Sequence, residues 1–132
     1  MSPSLSSLFS EYATTALTEQ DYASQGLPAY AYGRVKQILD NDRAHVTFLQ
    51  NVLGNGTNNI PPCEYDFSAA GTNLTRILAN AIVVKQVATS SYTGSLNNLD
   101  SAFARSSGTI QTTEARHQTW LESVLQPGAP WT

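Results

Sequence analysis

Charge and cysteine are both scarce in this sequence of 132 residues, and each shortage excludes a class of protein. Charged residues make up 13% of the chain, whereas average soluble domains contain roughly 25%. The seven lysines and arginines are scattered and form no basic stripe, which argues against a nucleic-acid partner. The single cysteine, Cys63, excludes both an internal disulfide framework and a zinc site made of several cysteines.

Long apolar runs are also missing. A membrane-spanning helix needs roughly 20 consecutive apolar residues, and the longest run here, residues 77–84, is interrupted by Asn80. The first residues lack the basic start and the apolar stretch of a signal peptide, so a secreted protein would be present here in its processed form.

Small polar residues take the place of charge: the chain has 14 serines, 14 threonines and 9 asparagines. Asn55 and Asn73 each begin an Asn-x-Thr triplet, which makes them candidate glycosylation sites. An uncharged polar surface with two such triplets favours an extracellular location.

Apolar residues recur at three- and four-residue steps in four segments, which is the period of one helix face. The predicted helices are 3–19, 28–53, 72–97 and 99–125. A long connection with several glycines and prolines follows the second helix, and no segment alternates with the period of a strand. The pattern predicts an all-α protein of one domain, an antiparallel four-helix bundle with a long crossover between helices 2 and 3.

The segment NDRAHVTFLQNVL returns near the end of the chain as TEARHQTWLESVL. The two align Asp42 with Glu114 and His45 with His117, so that both histidines of the protein follow a carboxylate by three residues. Residues three apart lie on one side of a helix, and here they coincide with the apolar stripes. Burying four such groups is unfavourable unless they pair or bind a metal. Because carboxylate and imidazole are usual ligands of iron, manganese and zinc, the four residues are candidate metal ligands.

Both segments resemble the Glu-x-x-His helices of the ferritin-like superfamily, whose di-iron members carry one such motif on each of two helices. A closer similarity, over residues 22–120, is to the ferritin-like domain family of fungal secreted stress- and development-related proteins and plant desiccation-related proteins. It is carried by the segments DYASQGLP, DRAHVTFL, IPPCEYDF, SYTG and EARHQTWL. The resemblance implies a four-helix bundle with an ancestral dinuclear metal site, and it implies no defined activity.

The sequence departs from the di-iron pattern at two further ligand positions. Di-iron members use a glutamate from the first helix, where this chain has Pro3 or Ser6, and neither residue can replace it. They use another glutamate from the third helix, where this chain has Lys85 on the inward stripe. The ammonium group of Lys85 is expected to repel a metal ion and to neutralise the acids, so we call it the metal-replacing cation.

Three interpretations remain open. The first is a di-iron oxidoreductase or ferroxidase, and the second is a protein that binds one iron, manganese or zinc ion through the four candidate ligands. The third, which we favour, is a metal-free relic with no catalytic residue and no cofactor, in which Lys85 pairs with Asp42 and Glu114. In that case a secreted stress, effector or binding protein would act through its surface on a protein or glycan partner, or as a homodimer. Candidate contact residues are the aromatic side chains of Tyr22, Tyr30, Tyr32 and Trp131, which could instead pack over one end of the bundle.

Overall fold

In the computed structural model, which describes residues 5–53 and 65–127, every regular element is a helix. The five α-helices are α1 (Leu5–Thr15), α2 (Glu19–Ser24), α3 (Ala31–Leu53), α4 (Leu74–Ser95) and α5 (Ser101–Leu125). Short 3-10 turns lie at Ser68–Ala70 and Leu96–Asn98. The described residues contain no strand, and none of their helices is long and apolar enough to cross a membrane. The predicted all-α class, consistent with a ferritin-like helical bundle, is confirmed.

The chain divides into two compact units, residues 1–77 and 78–132. In the first unit, α1 and α2 pack against α3. Its buried apolar side chains are Ala13, Leu17, Tyr22, Ala31, Val35, Ile38, Leu39, Ala70, Leu74 and Ile77. Those on α3 recur at the three- and four-residue steps that predicted this helix, so its inward face follows from sequence period alone.

The second unit contains most of α4 and all of α5. Its buried apolar side chains are few: Leu78, Ala81, Ile110 and Leu121. Buried polar side chains are as numerous, namely Lys85, Ser107, Glu114 and His117. A core with this much polar character is stable only if its polar groups find partners, and three of these four belong to the candidate site described below.

The predicted first helix, 3–19, is interrupted. Over its described part the chain forms α1, leaves the helix after Thr15, and begins α2 at Glu19. Thr18 is extended and caps α2: its hydroxyl oxygen accepts from the Asp21 amide, and an Asp21 carboxylate oxygen accepts from the Thr18 amide at 2.7 Å. This reciprocal capping box starts a new helix where apolar period alone would continue the old one. Hydrogen bonds from Thr18 keep the pKa of Asp21 below its usual value.

Two tyrosines complete the end of α1. The last carbonyl groups of a helix have no intrahelical donor, and the buried Tyr22 hydroxyl donates to the Ala13 carbonyl at 3.1 Å. The Tyr32 hydroxyl donates to the Thr14 carbonyl at 3.3 Å, and the two rings meet edge to face at 5.3 Å. Tyr22 is therefore a core residue, and packing is the correct alternative for it. Tyr30, by contrast, is 62% exposed, while Trp131 lies outside the described residues.

The later helices begin within two residues of their predicted starts because side chains cap them. The side-chain oxygen of Asn73 accepts from the Arg76 amide at 2.9 Å at the start of α4. One Asp100 carboxylate oxygen accepts from the amides of Ala102 and Phe103 at the start of α5. Gln25 adds a cap that no local pattern reveals, since its side-chain oxygen accepts from the Leu74 amide at 2.8 Å from a distant part of the chain.

Candidate functional site

The α5 part of the candidate site lies on a buried face of that helix. Glu114 and His117 lie one turn apart and are 4% and 8% exposed, on the same buried face as Ile110 and Leu121. The helical period brings the four residues to one side of α5, so the hydrophobic burial of Ile110 and Leu121 also places the carboxylate and the imidazole in the core.

Lys85 of α4 meets this pair and is almost fully buried, at 1% exposure. Its Nζ lies 2.7 Å from Glu114 Oε2, the length of a charge-assisted hydrogen bond. The same Nζ lies 3.4 Å from His117 Nδ1. Because an ammonium group can only donate, this contact is a hydrogen bond only for the form of His117 that accepts at Nδ1 and carries its proton on Nε2. The second unit thus holds a buried cluster of ammonium, carboxylate and imidazole.

In the α3 part of the candidate site, only the carboxylate residue is fully buried. Asp42 is 2% exposed and is a buried charged residue of the first unit. His45, three residues later, is only partly buried. The buried side chains of the described ranges that could serve as metal ligands are Asp42, in the first unit, and Glu114 and His117, in the second, and the partly buried His45 is not among them.

The chemistry of these residues does not fit a dinuclear iron centre. Such a centre needs bridging carboxylates with free oxygen atoms, whereas one Glu114 oxygen already accepts a hydrogen bond from Lys85. The positive charge of Lys85 within 4 Å of two would-be ligand atoms also opposes the approach of a cation. Pro3 and the Ser6 side chain, the two residues considered in place of the first-helix glutamate, lie outside the described part of the chain.

Of the two candidate glycosylation sites and the single cysteine, only Asn73 lies within the described residues. Asn73 is exposed at the start of α4, where its side-chain oxygen caps the helix. Because a glycan attaches through the amide nitrogen of asparagine, that cap leaves the predicted modification chemically possible. Asn55 and Cys63 lie outside the described residues.

A buried carboxylate and imidazole one turn apart on one helix are the kind of pair from which helical bundles build metal sites in their cores. The profile of the ferritin-like domain family matches residues 4–127, nearly the whole chain. The chain therefore belongs to the ferritin-like domain family. No curated protein and no solved structure matches it.

Proposed function

We propose that this chain is a ferritin-like protein in which the ammonium group of Lys85 takes the place of a metal ion, and that it acts as a binding protein rather than as an oxidoreductase. The observation that carries the proposal is the 2.7 Å contact between Lys85 Nζ and Glu114 Oε2. Both side chains are at least 95% buried. A lysine buried to this extent stays charged only beside an anion, and a buried glutamate only beside a cation.

Asp42 gives the proposal its second acid. It is buried on α3. The resemblance of its segment to the Glu-x-x-His helices implies that Asp42 stands at the position of a metal ligand. In our proposal Lys85 offsets the charge of both Asp42 and Glu114, and the two imidazoles accept or donate hydrogen bonds beside them. A buried network of this kind selects one register of the helices more than it adds stability.

In this proposal the protein is secreted and is related to the fungal stress and plant desiccation proteins. It binds its partner through its surface. Its support is the composition, rich in serine, threonine and asparagine and poor in charge, together with the exposed position of Asn73 within its glycosylation triplet. The partner in this proposal is a protein or a glycan. Mass spectrometry of the protein from a secreting eukaryotic host, before and after glycosidase treatment, tests the extracellular part: an unmodified Asn73 would contradict it.

The central experiment compares Lys85→Glu with the unmodified protein in thermal melts, with and without Fe²⁺, Mn²⁺ or Zn²⁺. Lys85→Glu restores the acidic ligand that the family pattern expects, so we expect it to be unstable alone and to be stabilised by metal. The unmodified protein should keep its midpoint and contain less than one equivalent of metal by elemental analysis. Lys36→Glu is a matched control. Lys36 is the only other lysine of the chain, it stands between a valine and a glutamine as Lys85 does, and it is exposed.

A second candidate function is the binding of a single metal ion, and it is favoured by the burial of three candidate ligands, Asp42 in the first unit and Glu114 and His117 in the second. Two carboxylates and one imidazole are a sufficient ligand set for iron, manganese or zinc. Binding would require the Lys85 ammonium to leave Glu114 or to lose its proton. A midpoint of the unmodified protein that rises steeply with one ion, together with stoichiometric metal, would establish this function and overturn the metal-free proposal.

A further inference from the structure

A cleft of about 520 Å³ opens at the start of α3, within the first unit. Glu19, the first residue of α2, lines it together with residues of the segment 29–37. The volume falls within the roughly 300–1,000 Å³ of small-molecule sites. The lining is polar and aromatic rather than aliphatic, since Ala29 is its one aliphatic member among the described residues. The cleft therefore suits a polar ligand with hydrogen-bonding groups.

Contacts of both helices hold the cleft in place. The capping box of Thr18 fixes the start of α2 beside Glu19. On α3, the Tyr32 hydroxyl donates to the Thr14 carbonyl at 3.3 Å, and Ala31 is fully buried. A site whose walls are already ordered loses little conformational entropy when it binds. The cleft is thus preorganised for a ligand.

Three side chains of the cleft lie on one side of the start of α3, because Tyr30, Arg34 and Gln37 follow one another at steps of four and three residues. Arg34 Nη1 donates to Gln37 Oε1 at 2.8 Å. This bond uses one N–H of the guanidinium group and leaves its other N–H groups, and the amide nitrogen of Gln37, able to donate. The two planar groups therefore offer several donors in a fixed arrangement, which suits a carboxylate.

The exposed aromatic ring of the cleft belongs to Tyr30, which is 62% exposed. The ring of Tyr32 is covered, because Lys36 Nζ lies over it at 5.7 Å from the ring centroid. Tyr30 is therefore the aromatic surface available to a ligand, one turn from the Arg34 guanidinium. A tyrosine presents an apolar ring face together with a polar hydroxyl. The C–H face of a sugar ring packs on such a surface while its substituents reach polar neighbours.

Gly33 also lines the cleft, and nothing lies within 4 Å of the position that a Cβ would occupy there. Packing therefore does not require a glycine, although glycine is less favourable than alanine inside a helix. A glycine lets a ligand approach the backbone closely. The open position at Gly33 leaves room for a ligand ring against the first turn of α3.

The charges of the cleft narrow the class of ligand. Arg34 and Lys36 can only donate hydrogen bonds, whereas the carboxylate of Glu19 accepts them. Inorganic phosphate or a simple aromatic acid would satisfy the cations but offer few donors to Glu19. A neutral sugar would supply donors but leave Arg34 without an anion. A sugar that carries both hydroxyl groups and a carboxylate satisfies both sets of side chains.

We propose that this cleft binds a uronic acid unit of an acidic saccharide. The sugar carboxylate accepts from Arg34 and Gln37, the C–H face of the ring packs on Tyr30, and a hydroxyl group donates to Glu19. This site rests on the binding role proposed above and gives that role its ligand class. It is independent of what occupies the site around Lys85.

Titration of the isotope-labelled full chain with trigalacturonic acid, followed by NMR through the backbone amide shifts, tests the site. We expect saturable shifts concentrated in the segment 29–37. Arg34→Gln should weaken binding about tenfold, because it removes a charge-assisted hydrogen bond. Arg105→Gln removes the same charge from an exposed position of α5 and should leave the affinity unchanged. Maltotriose, benzoate and inorganic phosphate should each bind about tenfold more weakly than trigalacturonic acid, or not at all.

Gly33→Ala separates ligand binding from stability. The added methyl group should raise the thermal midpoint through helix propensity, yet weaken trigalacturonate binding about tenfold by taking up space that the ligand needs. Gly108→Ala is the matched control, since it should raise the midpoint in the same way and leave the affinity unchanged. A Gly33→Ala variant that binds as tightly as the unmodified chain would overturn the proposal.

The saccharide site is also overturned by the absence of saturable shifts, by shifts centred outside the segment 29–37, or by an unchanged affinity of Arg34→Gln. Equal binding of maltotriose, benzoate or phosphate overturns it as well. None of these results bears on Lys85, whose role is decided by the thermal melts with metal ions. Conversely, a chain that binds trigalacturonate at the cleft and takes up stoichiometric metal would keep the saccharide site and overturn the metal-free proposal.

Discussion

Lys85 lies in a buried ion pair with Glu114, so its energetic role differs from that of a surface lysine. An exposed ion pair contributes little to stability, whereas a buried pair becomes costly when only one member is removed. Lys85 and Glu114 are in the second situation, since their side chains are 2% and 5% exposed. The pair is therefore expected to be more sensitive to loss of a single partner than to loss of both.

A double-mutant comparison makes this expectation measurable. Lys85→Met should lower the free energy of unfolding by about 3–5 kcal/mol, because Glu114 is left buried without its cation. Adding Glu114→Leu should recover most of that loss by removing the stranded carboxylate while keeping apolar volume. Chemical denaturation at neutral pH measures both variants. Additive losses in the double variant would show that the two side chains do not act as a pair.

The phenol of Tyr22, which bonds to the end of α1, is expected to make the stability of the protein depend on pH. Burial, and to a lesser degree the neighbouring Tyr32, raises the pKa of the Tyr22 phenol above its ordinary value. The neutral phenol is thus favoured in the folded state, and its contribution is complete below the unfolded pKa of about 10 and is lost as pH rises above it. Tyr22→Phe should cost about 1–3 kcal/mol at neutral pH, since the buried Ala13 carbonyl loses its donor. The variant should also lose stability less steeply than the unmodified protein between pH 10 and 12, and a parallel decline would contradict the assignment.

The candidate site shows what helical spacing can and cannot establish. Asp42 and His45, like Glu114 and His117, are three residues apart, and the same spacing predicted that all four are buried. A three-residue step turns the side chain by about 60° from its partner, so the second residue can fall at the edge of the buried face. His45 does so and His117 does not. The neighbour of His117, Lys85, lies 32 residues away in the chain, and spacing within one helix cannot report such a neighbour.

The helix boundaries are set by capping side chains, and the spacing of apolar residues does not reveal them. The capping box of Thr18 and Asp21 is legible in the sequence, yet the apolar spacing that ends at Ala16 led to a predicted first helix that runs to residue 19. The spacing of apolar residues indicates which side chains are buried, but it does not show whether the backbone is helical there. The buried Leu17, for example, lies in the link between α1 and α2. Burial in a link satisfies the same pattern as burial in a helix. The Gln25 cap of α4 needs a partner 49 residues away and could not be read locally.

Alanine substitutions at two glycines, one inside a helix and one in a turn, should have opposite effects on stability. Gly108 lies inside α5 with nothing within 4 Å of the position a Cβ would occupy. Gly108→Ala should therefore raise the free energy of unfolding by about 0.5–1 kcal/mol, because alanine loses less backbone entropy in a helix. Gly26→Ala is the matched opposite, since Gly26 has a φ of 81° at the end of α2. It should lower stability by about 1–2 kcal/mol. Thermal melts of both variants test the pair, and a loss in Gly108→Ala would indicate that α5 is more crowded there than the backbone suggests.

The chain as a whole has little charge to organise it, with a net charge of −3 and 13% charged residues. Its all-helical class was predictable because apolar period runs through most of its length. How many cooperative units it forms is a separate matter that period does not decide. α4 passes without interruption through the division between the two compact units at residues 77 and 78. Because helix formation is cooperative along the chain, loss of order in either part of α4 should destabilise the other.

We therefore predict that the protein unfolds as a single domain. Differential scanning calorimetry at low micromolar concentration should show one transition whose van't Hoff and calorimetric enthalpies agree. Ile38→Ala, in the core of the first unit, and Ile110→Ala, in that of the second, each create a cavity worth about 2–5 kcal/mol. Both should lower the midpoint of the whole transition. If either variant instead splits the peak, or shifts only part of it while the rest melts at the original temperature, the two units unfold separately, and the continuity of α4 is too weak to join them.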